Sequence, residues 1–83
     1  MARKEQEMKT KYVKMNELSK IYMFADLALR TQTQVLVRRG VFCVDGSSVL
    51  GLLAINMSEG AMVEYDASAV EFENFISQFE IEC

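Results

Sequence analysis

The chain has 83 residues, of which 51% are hydrophobic and 25% are charged, and this composition predicts one small domain with a hydrophobic core. It contains no histidine, which excludes Ser-His-Asp triads, histidine-based zinc sites and carriers of phosphohistidine. Cys43 and Cys83 are too few for a thiolate metal site or for a disulfide framework, so we expect a cytoplasmic protein without metal or other cofactor. No segment approaches the roughly 20 apolar residues that span a bilayer, so no membrane partner is expected. Residues 1–7 are predicted to be a frayed tail, and residues 8–83 a single domain.

Charge is distributed unevenly along the chain. All nine basic residues lie between Arg3 and Arg39, whereas eight of the twelve acidic residues follow Gly40. The basic half could be an arm that binds nucleic acid, or the two halves could neutralise each other across one sheet. The bases are spread through predicted helices and strands without an aromatic-rich basic run, which favours the second interpretation and no nucleic-acid partner.

Four segments have the pattern of β-strands. Residues 8–14 alternate lysines with less polar side chains, as a half-exposed strand does. Residues 34–39 and 41–45 predict a hairpin with Gly40 at the turn, because glycine accepts the positive φ of such turns. Residues 61–66 alternate again and predict the fourth strand.

The first helix is predicted between the first two strands. Asn16 is expected to cap it, with Glu17 in its first turn. Apolar spacing predicts one buried face formed by Leu18, Ile21, Tyr22, Ala25, Ala28 and Leu29. Met23, Phe24 and Leu27 fall outside that face, so this helix is either deeply buried or binds a partner.

Two shorter helices follow in the second half of the chain. Residues 49–57 predict an apolar helix that is ended by Gly60. Ser68 and Glu71 have the spacing of a capping box and open the last helix. The apolar stripe of that helix is assigned to the core and consists of Phe72, Phe75, Ile76 and Phe79.

The element order is therefore β-α-β-β-α-β-α, which favours an α+β fold with one mainly antiparallel four-stranded sheet and three helices on one face. Lys9, Lys11 and Lys14 on the first strand match Glu64 and Asp66 on the fourth in charge. Because opposite charges on adjacent strands attract, we expect these two strands to be neighbours.

Residues 46–53, with the sequence GSSVLGLL, resemble the regulatory-serine motif of HPr, the phosphocarrier family of the bacterial sugar phosphotransferase system. Residues 58–61 and 66–68 resemble the segments that follow it in that family. The resemblance implies an HPr-like open-faced β-sandwich of the same element order, with the first and fourth strands side by side.

The resemblance places Glu17 where the family has its phosphorylated histidine, so the chain cannot carry phosphohistidine. Three roles remain open for Glu17: an acyl-phosphate nucleophile, a constitutive negative charge that mimics the phosphorylated carrier, or an acid that favours the helix dipole.

Ser48 matches the serine that a dedicated kinase phosphorylates in this family. The Crh proteins keep that serine while lacking the histidine and, as phosphoserine forms, act with a catabolite control protein; this sequence is similar to them at both positions. Ser48 is therefore a regulatory phosphorylation candidate, and the alternative is a serine that only caps the helix. Ser47 precedes it where the family usually has a lysine.

The family contacts its protein partners through its first two helices. By resemblance, the partner-binding candidates are Met23, Phe24, Leu27, Val49, Leu50 and Leu53. The expected partners are a kinase, a transcriptional regulator or a transport enzyme, and the chain itself is expected not to be an enzyme. The alternative is a structural module that self-associates, since the third strand, with its apolar segment VFCV, would be a sheet edge and invites a homodimer.

Overall fold

The computed structural model describes residues 7–81 and has the predicted order of elements. The strands are β1 (Met8–Val13), β2 (Leu36–Arg39), β3 (Phe42–Asp45) and β4 (Ala61–Asp66). The helices are α1 (Leu18–Arg30), α2 (Val49–Ile55) and α3 (Val70–Ser77), with a 3-10 turn at Met57–Glu59. Residues 1–6 of the predicted tail and Cys83 lie outside the described residues, whereas the Glu7 carbonyl accepts a hydrogen bond from the Ala67 N–H at 2.8 Å.

The four strands form one antiparallel sheet in the order β1-β4-β2-β3. The predicted neighbourhood of β1 and β4 is confirmed, with Lys9 opposite Tyr65 and Lys11 opposite Val63. Between β2 and β3 the chain turns at Gly40, whose φ of 62° is the positive value that the hairpin prediction required.

The predicted ion pairs between β1 and β4 are wrong, although the strands are adjacent. Lys9 lies 3.1 Å from Glu73. Lys11 lies 3.2 Å from Glu80. The register sets both lysines opposite buried residues of β4, so their side chains lie on the face of the sheet that the helices cover. From there they reach Glu73 in α3 and Glu80 just after it. Glu64, on the other face, pairs with Arg38 of β2 at 3.1 Å. Basic residues of the first half thus neutralise acidic residues of the second half across the fold, as the charge distribution suggested.

The core lies between the sheet and the three helices, and aromatic rings join its layers. The ring of Phe72 on α3 meets Phe24 of α1 edge to face at 5.0 Å between centroids, and Tyr65 of β4 at 5.8 Å. The predicted α3 stripe is confirmed as core: Phe72, Phe75 and Ile76 are buried, and Phe79 packs against them from just beyond the helix.

The predicted buried face of α1 is confirmed at Ile21, Ala25 and Ala28 and is wrong at its other three residues. The buried residues are Ile21, Phe24, Ala25 and Ala28. Leu18, Tyr22 and Leu29, which were expected inside, are 51%, 52% and 66% exposed. Two overlapping apolar stripes on this helix both have helical spacing, and the sheet takes the stripe that contains Phe24, because that ring packs on Phe72.

The helix ends also differ from the sequence prediction. Glu17, not Asn16, holds the N-cap position of α1, and its side chain makes no capping hydrogen bond. Asn56 is the C-cap residue that ends α2, and it adopts the left-handed conformation (φ 62°). Gly60, which was expected in this role, instead ends the 3-10 turn.

The predicted capping box of α3 does not form. Ala69 is the N-cap residue, and the Ser68 N–H instead donates to Oδ1 of Asp66 at 2.8 Å. This hydrogen bond lowers the pKa of Asp66. A turn closed by the Asp66 side chain therefore replaces the expected capping box of Ser68 and Glu71.

A polar network fastens α3 to the sheet. The hydroxyl of Tyr65, a fully buried residue, donates to Oε2 of Glu73 at 2.7 Å, and Lys9 Nζ contacts the same oxygen. The Tyr65 hydroxyl and then Lys9 hold the pKa of Glu73 below its ordinary value. Burial, with the help of Glu73, raises the pKa of Tyr65.

We expect Tyr65→Phe to lower the free energy of unfolding near neutral pH and to raise the pKa of Glu73. Because the folded pKa of Glu73 lies below the unfolded value, its stabilisation is present above the ordinary glutamate range and is lost as the pH falls through the folded pKa. The variant should therefore lose less stability on acidification than the parent. Urea denaturation across the acidic range and carboxyl NMR titration measure both effects. The matched control is Tyr22→Phe, whose side chain is half exposed; equal pH dependence in Tyr65→Phe and the parent would contradict the assignment.

Candidate functional site: the α1–α2 surface

Ser48 begins α2 and caps it. Its Oγ accepts a hydrogen bond from the Gly51 N–H at 3.1 Å, and its own N–H donates to the Asp45 carbonyl. The side chain of Asp45 accepts from both the N–H and the hydroxyl of Ser47, which lowers the pKa of that carboxyl. The capping role of Ser48 is therefore observed, and its hydroxyl lies half-buried at the edge of the helix pair.

Gly51 lets α2 lie close to the sheet. A Cβ at this position would stand 3.0 Å from Cβ of Val44 on β3, closer than side-chain carbons normally approach. This contact fixes the face that α2 presents: Leu52 and Ile55 point into the core, whereas Leu50 is 79% exposed. The glycine of the serine motif thus sets which leucines remain outside.

Exposed apolar side chains of α1 and α2 form one surface, which we call the α1–α2 surface. It consists of Leu18, Tyr22, Leu50 and Leu53. Leu18 and Leu53 line a shared shallow cleft of about 210 Å³ between the helices, together with Asn56. Tyr22 follows Leu18 by one helical turn, and Leu50 precedes Leu53 by one, so the apolar area extends along both helices.

Only part of the predicted partner-binding set lies on this surface. Leu50 and Leu53 are exposed there, and Val49 is half-buried and packed against the core. Phe24 is wrong as a contact candidate, because it is fully buried against Phe72.

Met23 and Leu27 lie on the other flank of α1. Leu27 lines a cleft with the start of α3, and Met23 lies one turn before it. Leu18 and Tyr22 are the residues of the α1–α2 surface that the sequence prediction missed. The signal that could have found them is the second stripe, at 21, 24, 25 and 28, which contains the wholly apolar ring of Phe24 and competes for the core.

Glu17 lies immediately before α1 and is exposed. Its carbonyl accepts from the N–H groups of Lys20 and Ile21, at 3.0 and 3.1 Å. Its carboxylate makes no cap hydrogen bond, so this side chain is open to solvent next to Leu18 at the rim of the α1–α2 surface.

Two absences concern the part of the chain that the structure describes. Among residues 7–81, no group of three or more histidine, cysteine, aspartate or glutamate side chains could hold a metal ion. No helix in the same range is long and apolar enough to cross a membrane.

The fold is similar to that of a solved protein. The crystal structure of the phosphocarrier protein HPr from Bacillus anthracis str. Ames superimposes with a TM-score of 0.65, over 88% of this chain and 98% of that one, at 15% sequence identity. No family model and no curated protein sequence matches the chain. The predicted α+β architecture is therefore confirmed as HPr-like, and at this identity the likeness concerns the fold alone.

We expect Ser48→Ala to destabilise the protein by about 1 kcal/mol, because the Gly51 N–H loses its capping acceptor. Ser48→Asp should keep most of that stability, since aspartate caps equally well. The matched control is Ser68→Ala, at the start of α3, where Ala69 rather than serine is the N-cap residue. Urea denaturation measures all three variants; an Ser48→Ala loss no larger than that of Ser68→Ala would contradict the cap.

Proposed function

We propose that this chain is a non-enzymatic, histidine-less protein of HPr-like fold that acts by protein–protein contact through the α1–α2 surface. The observation that carries the proposal is a pair of exposed leucines, Leu18 and Leu53, that line one cleft between the two helices, with the exposed Leu50 one turn before Leu53 on α2. A contiguous patch of exposed apolar side chains usually marks a site of interaction. The same two helices form the partner surface implied by the family resemblance.

Phosphate relay through this chain is not part of the proposal. The sequence has no imidazole, and Glu17, which the family resemblance places at the corresponding position, is exposed. A carboxylate there would repel an incoming phosphoryl group unless a positive group neutralised it. Glu17 instead gives the rim of the α1–α2 surface a permanent negative charge, which favours a partner that carries a basic group beside an apolar one.

We further propose that phosphorylation of Ser48 regulates this contact. Ser48 precedes Leu50 by two residues, so a phosphate on its Oγ adds about two negative charges beside the exposed leucine. The adjacent Gly51 N–H already donates to that oxygen and would remain a donor to a phosphate. A transcriptional regulator of the catabolite-control type or a transport enzyme would then read both the phosphate and the apolar surface.

Charged substitutions on the α1–α2 surface test the contact. Leu50→Asp and Leu53→Asp should each weaken partner binding about tenfold or more, because a buried leucine contributes roughly 1.5–3 kcal/mol. Val70→Asp, at an exposed valine on α3, is the matched control and should bind as the parent does. Capture from a lysate of the source organism, followed by titration of the purified partner, measures this. Recovery of the chain alone, or equal binding by Leu50→Asp and the parent, would refute the proposal.

Incubation with an HPr kinase and ATP tests the regulation. The peptide that spans Ser48 should gain the mass of one phosphate, Ser48→Ala should gain none, and the neighbouring variant Ser47→Ala should still be modified. Absence of any mass gain on that peptide rules out kinase regulation while leaving the apolar contact to be judged by the leucine variants.

A further inference from the structure

Strand β3 forms an open edge of the sheet. Among residues 7–81, β3 pairs with β2. Arg39 of β2 and Phe42 of β3 flank the two-residue turn that joins them. In such a hairpin the residues next to the turn exchange hydrogen bonds, and the pattern then alternates along the strand. The N–H and C=O groups of Cys43 therefore point away from β2, toward solvent.

The opposite edge of the sheet is closed by the chain itself. Glu80 forms an antiparallel bridge with Val13 of β1. The Phe79 carbonyl accepts from the Lys14 N–H at 3.0 Å, and the Ile81 N–H donates to the Tyr12 carbonyl at 2.8 Å. Edges of natural sheets are commonly covered or charged in this way to prevent pairing with another chain.

In the part of the chain that the structure describes, no segment pairs with the outer side of the β3 edge in the same way. Residues 41–44 carry no charge, Val41 is 93% exposed, Phe42 is 66% exposed, and Cys43 is also exposed. The Asp45 carbonyl at the end of the strand is already an acceptor for the Ser48 N–H, so the open hydrogen-bonding capacity centres on Cys43. An uncharged edge of this kind is a template for one more antiparallel strand.

We propose that the occupant is the β3 strand of a second copy of this chain, related by a two-fold axis at Cys43, so that two sheets join into one of eight strands. In this register Cys43 lies opposite itself, and Phe42 meets Val44 of the second copy on the face that carries the helices. Asp45 lies next to the uncharged Val41 of the second copy, so the acid does not face its own equivalent. Because each chain has one open and one closed edge, association stops at two copies.

This inference does not rest on the proposed function. The contact uses the edge of the sheet and leaves Leu18 and Tyr22 of the α1–α2 surface free. A dimer of this kind can present two such surfaces at once. If the dimer does not form, the partner contact is unaffected, and the reverse also holds.

Two substitutions of Val41, one acidic and one basic, test the proposed register of the two β3 strands, because they should change the dimer dissociation constant in opposite directions. Val41→Asp brings like charges next to Asp45 of the second copy, whereas Val41→Lys brings opposite charges together. With two symmetric contacts, the dimer dissociation constant should rise about twofold to thirtyfold in the first variant and fall by a similar factor in the second. Thr10→Lys and Thr10→Asp, on the closed β1 edge, are the matched controls and should leave it unchanged. Val41 is almost fully exposed, so these variants are expected to fold.

Sedimentation equilibrium up to millimolar concentration measures the association, and thiol cross-linking locates it. In a Cys83→Ser background, the shortest bifunctional thiol reagents should join Cys43 to Cys43, because paired strands bring the two Cα atoms within about 5.5 Å. A monomer at every concentration overturns the proposal. So does a dimer that responds equally to Val41→Asp and Val41→Lys, or one in which Cys43 does not cross-link.

Discussion

The sheet has one covered face, and that face has room for only one side of each helix. Helix α1 gives it Phe24 and its neighbours, α3 gives it Phe72, Phe75 and Ile76, and α2 gives it Leu52 and Ile55. The edge-to-face contact of Phe24 with Phe72 fixes the rotation of α1. The remaining apolar side chains of α1 and α2 have no place inside, and they become the surface that the protein presents.

A small domain normally places polar residues at such positions, because exposed leucines gain nothing for folding. Here the exposed Leu18 and Leu53 line one cleft, and the exposed Leu50 precedes Leu53 by one turn of α2. The cost to solubility is offset by charge elsewhere, including cross-fold ion pairs such as Lys9–Glu73 and Arg38–Glu64. The proposed contact with a partner rests on these exposed leucines.

The sequence predicted the strands and the core of α3, because alternation and a single apolar stripe leave one solution. Charge matching, together with the family resemblance, predicted that β1 and β4 are neighbours. The sequence did not predict the rotation of α1, because stripes through Leu18 and through Phe24 are both compatible with helical period. The partners of Lys9 and Lys11 were also missed, since charge matching identifies neighbouring strands but not the face on which a side chain lies. That face follows from the register, which sets Lys9 opposite the buried Tyr65.

The orientation of α1 and α2 on the sheet is therefore the central claim, and methyl relaxation by a soluble paramagnetic cosolute tests it most directly. The methyl groups of Leu18, Leu50 and Leu53 should relax far faster than those of Leu52 and Ile55, which are buried. Protection of Leu18 equal to that of Ile55 would mean that α1 turns its other stripe outward, and the α1–α2 surface described above would not exist.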